Sequence, residues 1–400
     1  MFKSRPVALF VWMLASIFYA YQYILRVMPS IMLGDIMRQF HIDATIFGQF
    51  SGIYYIGYSA MHLPIGIMLD RYGPRRVMTG CILSTVIGLL PLLFSDHWIY
   101  PVLGRALIGM GSSAAILGTF KITRMTFTEQ RFARMLSLSV TIGLIGAIYG
   151  GAPVSALCNT LGYRVVIEIF AVMGLLLALA TYWIIPTMDS TDRGDVMADI
   201  KTVLTNKRVL STCFFAGMMV GPLEGFADVW GKSFLKEVYS FNGTLAASLP
   251  SMIFIGMCFG GPLLSLIAER TKRYLGTIIA AGALMLLSFL MLLTEQLSAT
   301  TISLLFLLVG ICCAYQILVI YKASTYVPSR AAGLTTAVAN MIIMSFGYAF
   351  HSLIGITVDA AGGPTVAKAL IDGVAIIPAA LSLGILGFLI LVFSTKPEAA

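Results

Sequence analysis

Apolar runs of about 20 residues, separated by short polar breaks, repeat along the whole chain. That is the length a helix needs to cross the hydrocarbon core of a bilayer, whereas a barrel strand would read as an alternating segment of about ten. In lipid every backbone N–H and C=O must be satisfied within the segment, so runs of this length predict helices. Twelve spans follow: 8–34, 45–69, 76–94, 98–122, 134–158, 163–185, 208–235, 245–268, 274–294, 299–321, 331–358 and 371–394. The longest polar stretch, 186–207, holds Asp189, Asp192, Arg193, Asp195, Asp199, Lys201 and Lys207. It predicts a linker, with a short surface helix near Met197–Leu204, between an N-terminal six-helix bundle (1–185) and a C-terminal one (208–400). The expected class is an all-α membrane protein with twelve transmembrane helices in two pseudo-symmetric bundles.

The polar breaks carry an internal repeat. Between spans 2 and 3 stands Gly66-Ile67-Met68-Leu69-Asp70-Arg71-Tyr72-Gly73-Pro74-Arg75-Arg76, a charged hairpin. A degraded copy, with Glu269, Arg270, Lys272 and Arg273, falls about 199 residues later, between spans 8 and 9. Gly109 to Lys121 matches Gly310 to Lys322, Arg131-x-Ala133 matches Arg330-x-Ala332, and Arg26 in span 1 aligns with Asp228 in span 7. Near-constant offsets at separate places indicate a duplicated six-span unit.

Composition agrees with lipid as the main solvent: 58% of residues are hydrophobic and 11% charged, where soluble domains carry roughly 25% charged residues. The net charge of +8 does not indicate nucleic acid, because the basic residues sit in short inter-span loops. With the N-terminus cytoplasmic, nineteen of the 26 Lys and Arg fall on the cytoplasmic side, which is the positive-inside pattern. Twelve spans then put both termini in the cytoplasm. Lys3 and Arg5 before an apolar stretch resemble a signal peptide, but the run merges into a full span and is read as uncleaved span 1. The six cysteines have no metal-type spacing and are expected as free, packed thiols.

Twelve spans, a polar linker and a repeated hairpin of this type resemble the major facilitator superfamily over essentially the whole chain. Gly66, Asp70, Arg71, Gly73, Arg75 and Arg76 fit the family's hairpin pattern, with Pro74 where a basic residue is common. The second copy has Ser265 for the first Gly and Thr271-Lys272 in place of the turn Gly. Leu103-x-Arg105-x3-Gly109-x-Gly111 resembles the family's fourth-helix motif, and Gly162-Tyr163-Arg164 fits the start of its sixth helix. Gly143-x2-Gly146-x3-Gly150-Gly151-Ala152-Pro153 resembles only loosely the fifth-helix motif of antiporters. The resemblance implies two bundles rocking around a midplane site. It also implies a gate in which Asp70 meets the start of span 11, near Ser329 to Ala332, supported by Arg71, Arg75, Arg76, Glu269 and Arg270. The plainer reading makes these residues topology anchors.

Charges inside the membrane narrow the chemistry, since each costs roughly 2.5–3.5 kcal/mol at the bilayer centre on insertion scales. Arg26, Glu224 and Asp228 lie within spans 1 and 7, which line the cavity in this family. Arg26 suits an anionic substrate group. Asp228 or Glu224 suits a coupling proton or an amine; the alternative is a permanent Arg26–Asp228 pair. Arg105 and Glu168 are expected as a buried pair within the first half, with Arg164 competing for Glu168. Tyr19, Tyr23, Tyr54, Tyr58, Trp230, Tyr315, Gln316 and Asn340 are candidate cavity residues. His351 is a lone histidine expected to pack, and Lys121 and Lys322 are expected as snorkelling anchors.

These residues predict a secondary transporter for a small polar, anionic or zwitterionic metabolite, such as an amino acid, short peptide or organic anion, coupled to protons and working as a monomer in a bacterial inner membrane. The alternatives are a proton-antiport exporter of drugs or metabolites and a non-transporting receptor on the same fold. No G-x-x-x-x-G-K-[ST] loop marks an ATP-driven pump. No catalytic set marks an enzyme, and no cofactor or metal is called for.

Overall fold

The computed structural model describes residues 5–187, 196–328 and 331–394. Among them eleven helices are long and apolar enough to cross a membrane. One of these, α2 (Ala44–Phe94), has 51 residues and leaves helical geometry at Gly73, with φ 77° and ψ 161°. It therefore supplies two crossings, and the spans number twelve. The turn is tighter than the 69–76 gap suggests. Helix continues to the edge of Gly73, which has no β-carbon to clash at positive φ. Pro74 opens the next helix, where its missing N–H has no intrahelical partner to lose.

The chain divides into two compact units, 1–193 and 194–400. In the first, α1 (Arg5–Phe40) forms span 1 and runs well beyond the expected 8–34. After α2 come α3 (Ile99–Thr126), α4 (Glu129–Gly150) and α5 (Ala152–Leu161), which form spans 4 and 5, and α6 (Tyr163–Ile184), span 6. Span 5 breaks at Gly151, and Gly162 at φ 81° turns the chain into span 6. In the second unit, α7 (Val196–Thr205) precedes span 7, which is built from α8 (Lys207–Gly217), a π-helical segment Gly221–Trp230 and α9 (Gly231–Glu237). Span 8 is α10 (Gly243–Ser248) with α11 (Ser251–Thr271), interrupted at Pro250, and span 9 is α12 (Tyr274–Leu292). Span 10 is α13 (Ala299–Cys313) with α14 (Tyr315–Ser324), span 11 is α15 (Ala332–Ala360), and span 12 is α16 (Ala367–Val374) with α17 (Ile376–Ser394).

Glycine brings the helices of each unit into backbone contact. A β-carbon on Gly57 would stand 2.3 Å from the Ala106 carbonyl oxygen, and one on Gly109 2.0 Å from that of Tyr54, so α2 and α3 touch main chain to main chain. On α4, Gly143 fits over the Tyr19 ring and Gly146 against the Ala20 carbonyl. The loose fifth-helix motif is thus the seam between spans 5 and 1. Small residues allow such approach, which packs membrane helices where the hydrophobic effect between them is weak. All six cysteines are free thiols.

Candidate substrate and ion site

Span 1 carries a proline inside a continuous helix. Pro29 has no N–H to give to the Leu25 carbonyl one turn back, and a freed carbonyl in lipid must find another donor. Arg105, 2% exposed on α3, supplies it. Its Nη1 donates to the Leu25 carbonyl and its Nη2 to the Arg26 carbonyl at 2.7 Å. The Arg105 guanidinium also lies 4.7 Å from the Tyr54 ring centroid, and Tyr54 donates its hydroxyl to Gln22 Oε1 at 2.7 Å. Arg105 therefore clamps the backbone around Arg26 and is a positioning residue. The expected Arg105–Glu168 pair does not form. Glu168, like Arg164, is exposed on α6, while Arg105 is buried.

Arg26 is 6% exposed. Its guanidinium stands 5.2 Å from the ring centroids of both Tyr23 and Tyr55, a cation–π setting that favours the charge where water is scarce. Tyr23 meets Tyr19 at 5.3 Å, Tyr54 meets Tyr55 at 5.3 Å and Tyr58 at 6.2 Å, and Tyr58 meets His62 at 5.1 Å. Of the expected cavity residues, Arg26, Tyr23, Tyr54 and Tyr58 thus form one cluster with Tyr19. The sequence reading missed Gln22, Tyr55 and His62 as its members. Tyr55 could not be told from packing residues, but Pro29 four residues after Leu25 was a usable signal for the Arg105 clamp.

In the second unit every residue of Gly221–Trp230 is buried, with Glu224 at 0% and Asp228 at 1% exposure. The Gly231 N–H bonds the Phe226 carbonyl five residues back. This widened turn sits where span 7 carries Glu224 and Asp228, and π segments recur at functional sites. Trp230 is fully buried beside them in sequence. Span 10 breaks at Ala314, just before Tyr315 and Gln316. Tyr315 donates its hydroxyl to the Ala216 carbonyl at 2.6 Å and so braces span 10 against span 7. Gln316 is 6% exposed and its Nε2 has no hydrogen-bond partner among the described residues. Asn340 lies half-buried on α15, and His351 on the same helix is fully buried.

At the hairpin, Asp70 Oδ1 accepts a hydrogen bond from Lys121 Nζ at 2.7 Å. Lys121 is thus an ion-pair partner rather than a free anchor, and it joins the end of span 2 to the end of span 4. Arg75 lies 4.3 Å over the Tyr182 ring and Arg71 5.5 Å over Tyr72, while Arg76 is exposed. Ser329 and Arg330, at the expected meeting point for Asp70, lie outside the described residues. In the second hairpin Glu269 and Arg270 are exposed at the end of α11. Lys322 faces the Tyr326 ring at 5.2 Å, and no ion pair joins it to Glu269 among the described residues. Those residues contain no group of three or more His, Cys, Asp or Glu side chains able to hold a metal ion.

Comparison with known proteins gives the same fold and names a family. The structure superposes on the nucleoside transporter NupG (D323A mutant) with a TM-score of 0.80 at 15% identity, covering 95% of this chain and 99% of the other. It superposes on a bacterial homolog of the human lysosomal transporter Spinster, inward-facing and unoccupied, with a TM-score of 0.76 at 16% identity, covering 99% and 100%. In sequence, the uncharacterized transporter YybO of Bacillus subtilis is 28% identical over 60% of this chain and 55% of its own length. The lysosomal dipeptide transporter MFSD1 of Mus musculus is 25% identical over 66% and 62%. The chain spans from 36% to 62% of the length of the curated relatives it matches. The family model for the Major Facilitator Superfamily matches residues 11–352. With twelve membrane helices in two six-helix bundles and that match, the chain belongs to the major facilitator superfamily of multi-pass membrane transporters.

Proposed function

We propose that this protein is a secondary active transporter for a small anionic or zwitterionic metabolite, with an amino acid, short peptide or organic anion as the candidate classes, and that it is driven by protons through alternating access. The observation that carries the reading is Arg26. A guanidinium is held mid-span, almost fully buried, between two tyrosine rings, with the backbone on either side of it clamped by Arg105. Such placement is costly in a membrane and marks a substrate or ion path. A guanidinium presents a planar fork that fits a carboxylate.

In this reading Arg26 takes the anionic group of the substrate. Tyr23, Tyr54 and Tyr58 are the candidate substrate contacts of the first unit, and Trp230, Gln316 and Asn340 are those of the second. Gln316 is the sharpest of the latter, because a buried amide N–H without a partner is satisfied on binding. Asp228 or Glu224 carries the coupling proton, since a carboxyl inside a membrane span is costly as a charge and marks an ion or proton path. The Asp70–Lys121 pair, with Gly66, Arg71, Gly73, Arg75 and Arg76, works at the gate on the hairpin side, which the positive-inside pattern puts in the cytoplasm. Both termini then face the cytoplasm of a bacterial inner membrane. The identity of MFSD1 as a dipeptide transporter supports a zwitterionic class.

Uptake into proteoliposomes tests this. A panel of amino acids, dipeptides and organic acids is offered with and without an inward proton gradient, to the wild type, Asp228→Asn and Arg26→Ala. Gradient-driven accumulation, lost in Asp228→Asn while exchange survives, is the expected result. Downhill flux indifferent to the gradient would make the protein a facilitator and Asp228 a structural group.

A further inference from the structure

Every fourth residue of α2 from Tyr54 onward falls on one slowly winding stripe: Tyr54, Tyr58, His62, Gly66 and Asp70. Residues four apart on a helix are neighbours one turn along. Tyr54 stacks on Tyr58, and Tyr58 meets the His62 ring at 5.1 Å with 33° between the planes. Gly66 interrupts the stripe with a gap: a β-carbon there would meet nothing within 4 Å. The turn between His62 and Asp70 therefore borders open space instead of packed side chains. By helix geometry Gly66 lies about a quarter turn from Ile56 and Ile67, the exposed apolar side chains that mark the lipid face. Tyr54 at 1% and His62 at 3% exposure are buried, while Tyr58, Gly66 and the Asp70 side chain at 15% are half-buried.

We propose that this stripe is a proton route between the hairpin end of the first unit and the enclosed cluster around Arg26, with His62 as the carrier and the space beside Gly66 as its water-filled approach. The proposal rests on the proton-driven reading above and adds to it a named path and carrier. An imidazole is the side chain whose charge change falls nearest neutral pH. In the step, a hydronium ion beside Gly66 gives its proton to a ring nitrogen of neutral His62. The N–H bond forms as the hydronium O–H breaks, leaving water and an imidazolium that lies against the Tyr58 ring, a face that attracts a cation. The reverse step returns the proton to water. The charged and titratable groups packed around the stripe come from two neighbouring helices and the hairpin. From α1 they are Tyr19, Tyr23 and Arg26, of which Tyr19 interacts electrostatically with Tyr58, Tyr23 and Arg26. From α3 they are Arg105 at Tyr54 and Lys121 at Asp70. On α6, Tyr182 meets Arg75 beyond the hairpin turn, and Arg164 and Glu168 are exposed.

The test reads the histidine directly. The protein has four histidines, so nitrogen-15 histidine labelling in lipid nanodiscs gives four ring signals, and His62→Gln assigns one. The expected result is that the His62 ring takes up a proton as the pH falls and that its N–H exchanges with water. Gly66→Leu, which fills the gap, should slow that exchange at least tenfold while the other three rings are unchanged. A His62 ring that does not titrate, or that exchanges equally fast in Gly66→Leu, overturns the proposal. A second readout is the ratio of uptake of the amino-acid and dipeptide panel with and without the proton gradient. It should fall towards 1 in His62→Gln and in Gly66→Leu, and a wild-type ratio in both would also overturn the route. If the wild type itself ignores the gradient, proton coupling fails, and the ring titration still decides whether His62 takes up protons from the hairpin side.

Discussion

A β-carbon on Gly109 would stand 2.0 Å from the Tyr54 carbonyl oxygen, and 201 residues later one on Gly310 would stand 2.0 Å from that of Ile253. Gly57 against Ala106 repeats as Gly256 against Leu307, at 2.3 and 2.1 Å. The two halves thus keep the same close helix crossing. Their polar chemistry differs. Arg26 in a continuous helix aligns with Asp228 in a π-helical one. Arg105, which clamps span 1, aligns with Phe306, which packs at 5.4 Å on Phe226. Ala114 and Ala115 in unbroken α3 align with Tyr315 and Gln316 at the break in span 10. The Asp70–Lys121 pair has a counterpart, Glu269 and Lys322, that is unjoined among the described residues. Duplication preserved what packing needs and left the polar positions free to specialise, because a glycine at a backbone crossing has no substitute while a cavity residue has many.

This contrast can be broken at several points. The largest effect is expected at the shared crossings. Gly109→Val and Gly310→Val each put a side chain into a carbonyl, costing about 3 kcal/mol or more. Thermal unfolding in detergent should show losses of similar size in the two halves, and a tolerated Gly310→Val would mean the second crossing is not equivalent.

Next is the clamp found only in the first half. Arg105→Met leaves the Leu25 and Arg26 carbonyls without these donors at a cost of about 2–4 kcal/mol. Pro29→Ala restores an N–H to Leu25, so the double variant should recover part of the loss. Additive effects in that double-mutant cycle would rule out the link between Pro29 and Arg105. The hairpins come third. Asp70→Asn should slow transport about tenfold, near 1.4 kcal/mol in the barrier, with only about 0–1 kcal/mol lost in stability because the pair is part-exposed. Glu269→Gln should change the transport rate less than twofold; equal defects would show that both hairpins act alike.

The smallest effect concerns the hairpin turns. Lys272 holds φ 53°, in the left-handed region that Gly73 occupies at φ 77° in the first copy. Lys272→Gly should raise stability by about 1 kcal/mol, and an unchanged melting temperature would count against strain at Lys272.

Periodicity, composition and the repeat determined the twelve spans, the duplication and the membrane environment. Those are properties of runs: a 20-residue apolar segment can lower its free energy in few ways, and lipid permits only a helix. The charged positions were legible for a related reason, because an Arg, Asp or Glu inside such a run is conspicuous against its cost. Partnership was not legible. Glu168 lies in an apolar run like Asp228, yet one is exposed and the other buried, and only the rotation of each helix about its axis decides which. Arg105 found backbone carbonyls instead of a carboxylate, Lys121 found Asp70, and Tyr55 and His62 joined the cluster around Arg26. The Arg105, Lys121 and Tyr55 contacts depend on how helices pack across about 30 to 80 residues of sequence, and His62 joins through Tyr58 on its own helix. The break of span 7 into a π-helical turn was equally hidden, since a widened turn is set by packing around it more than by local preference.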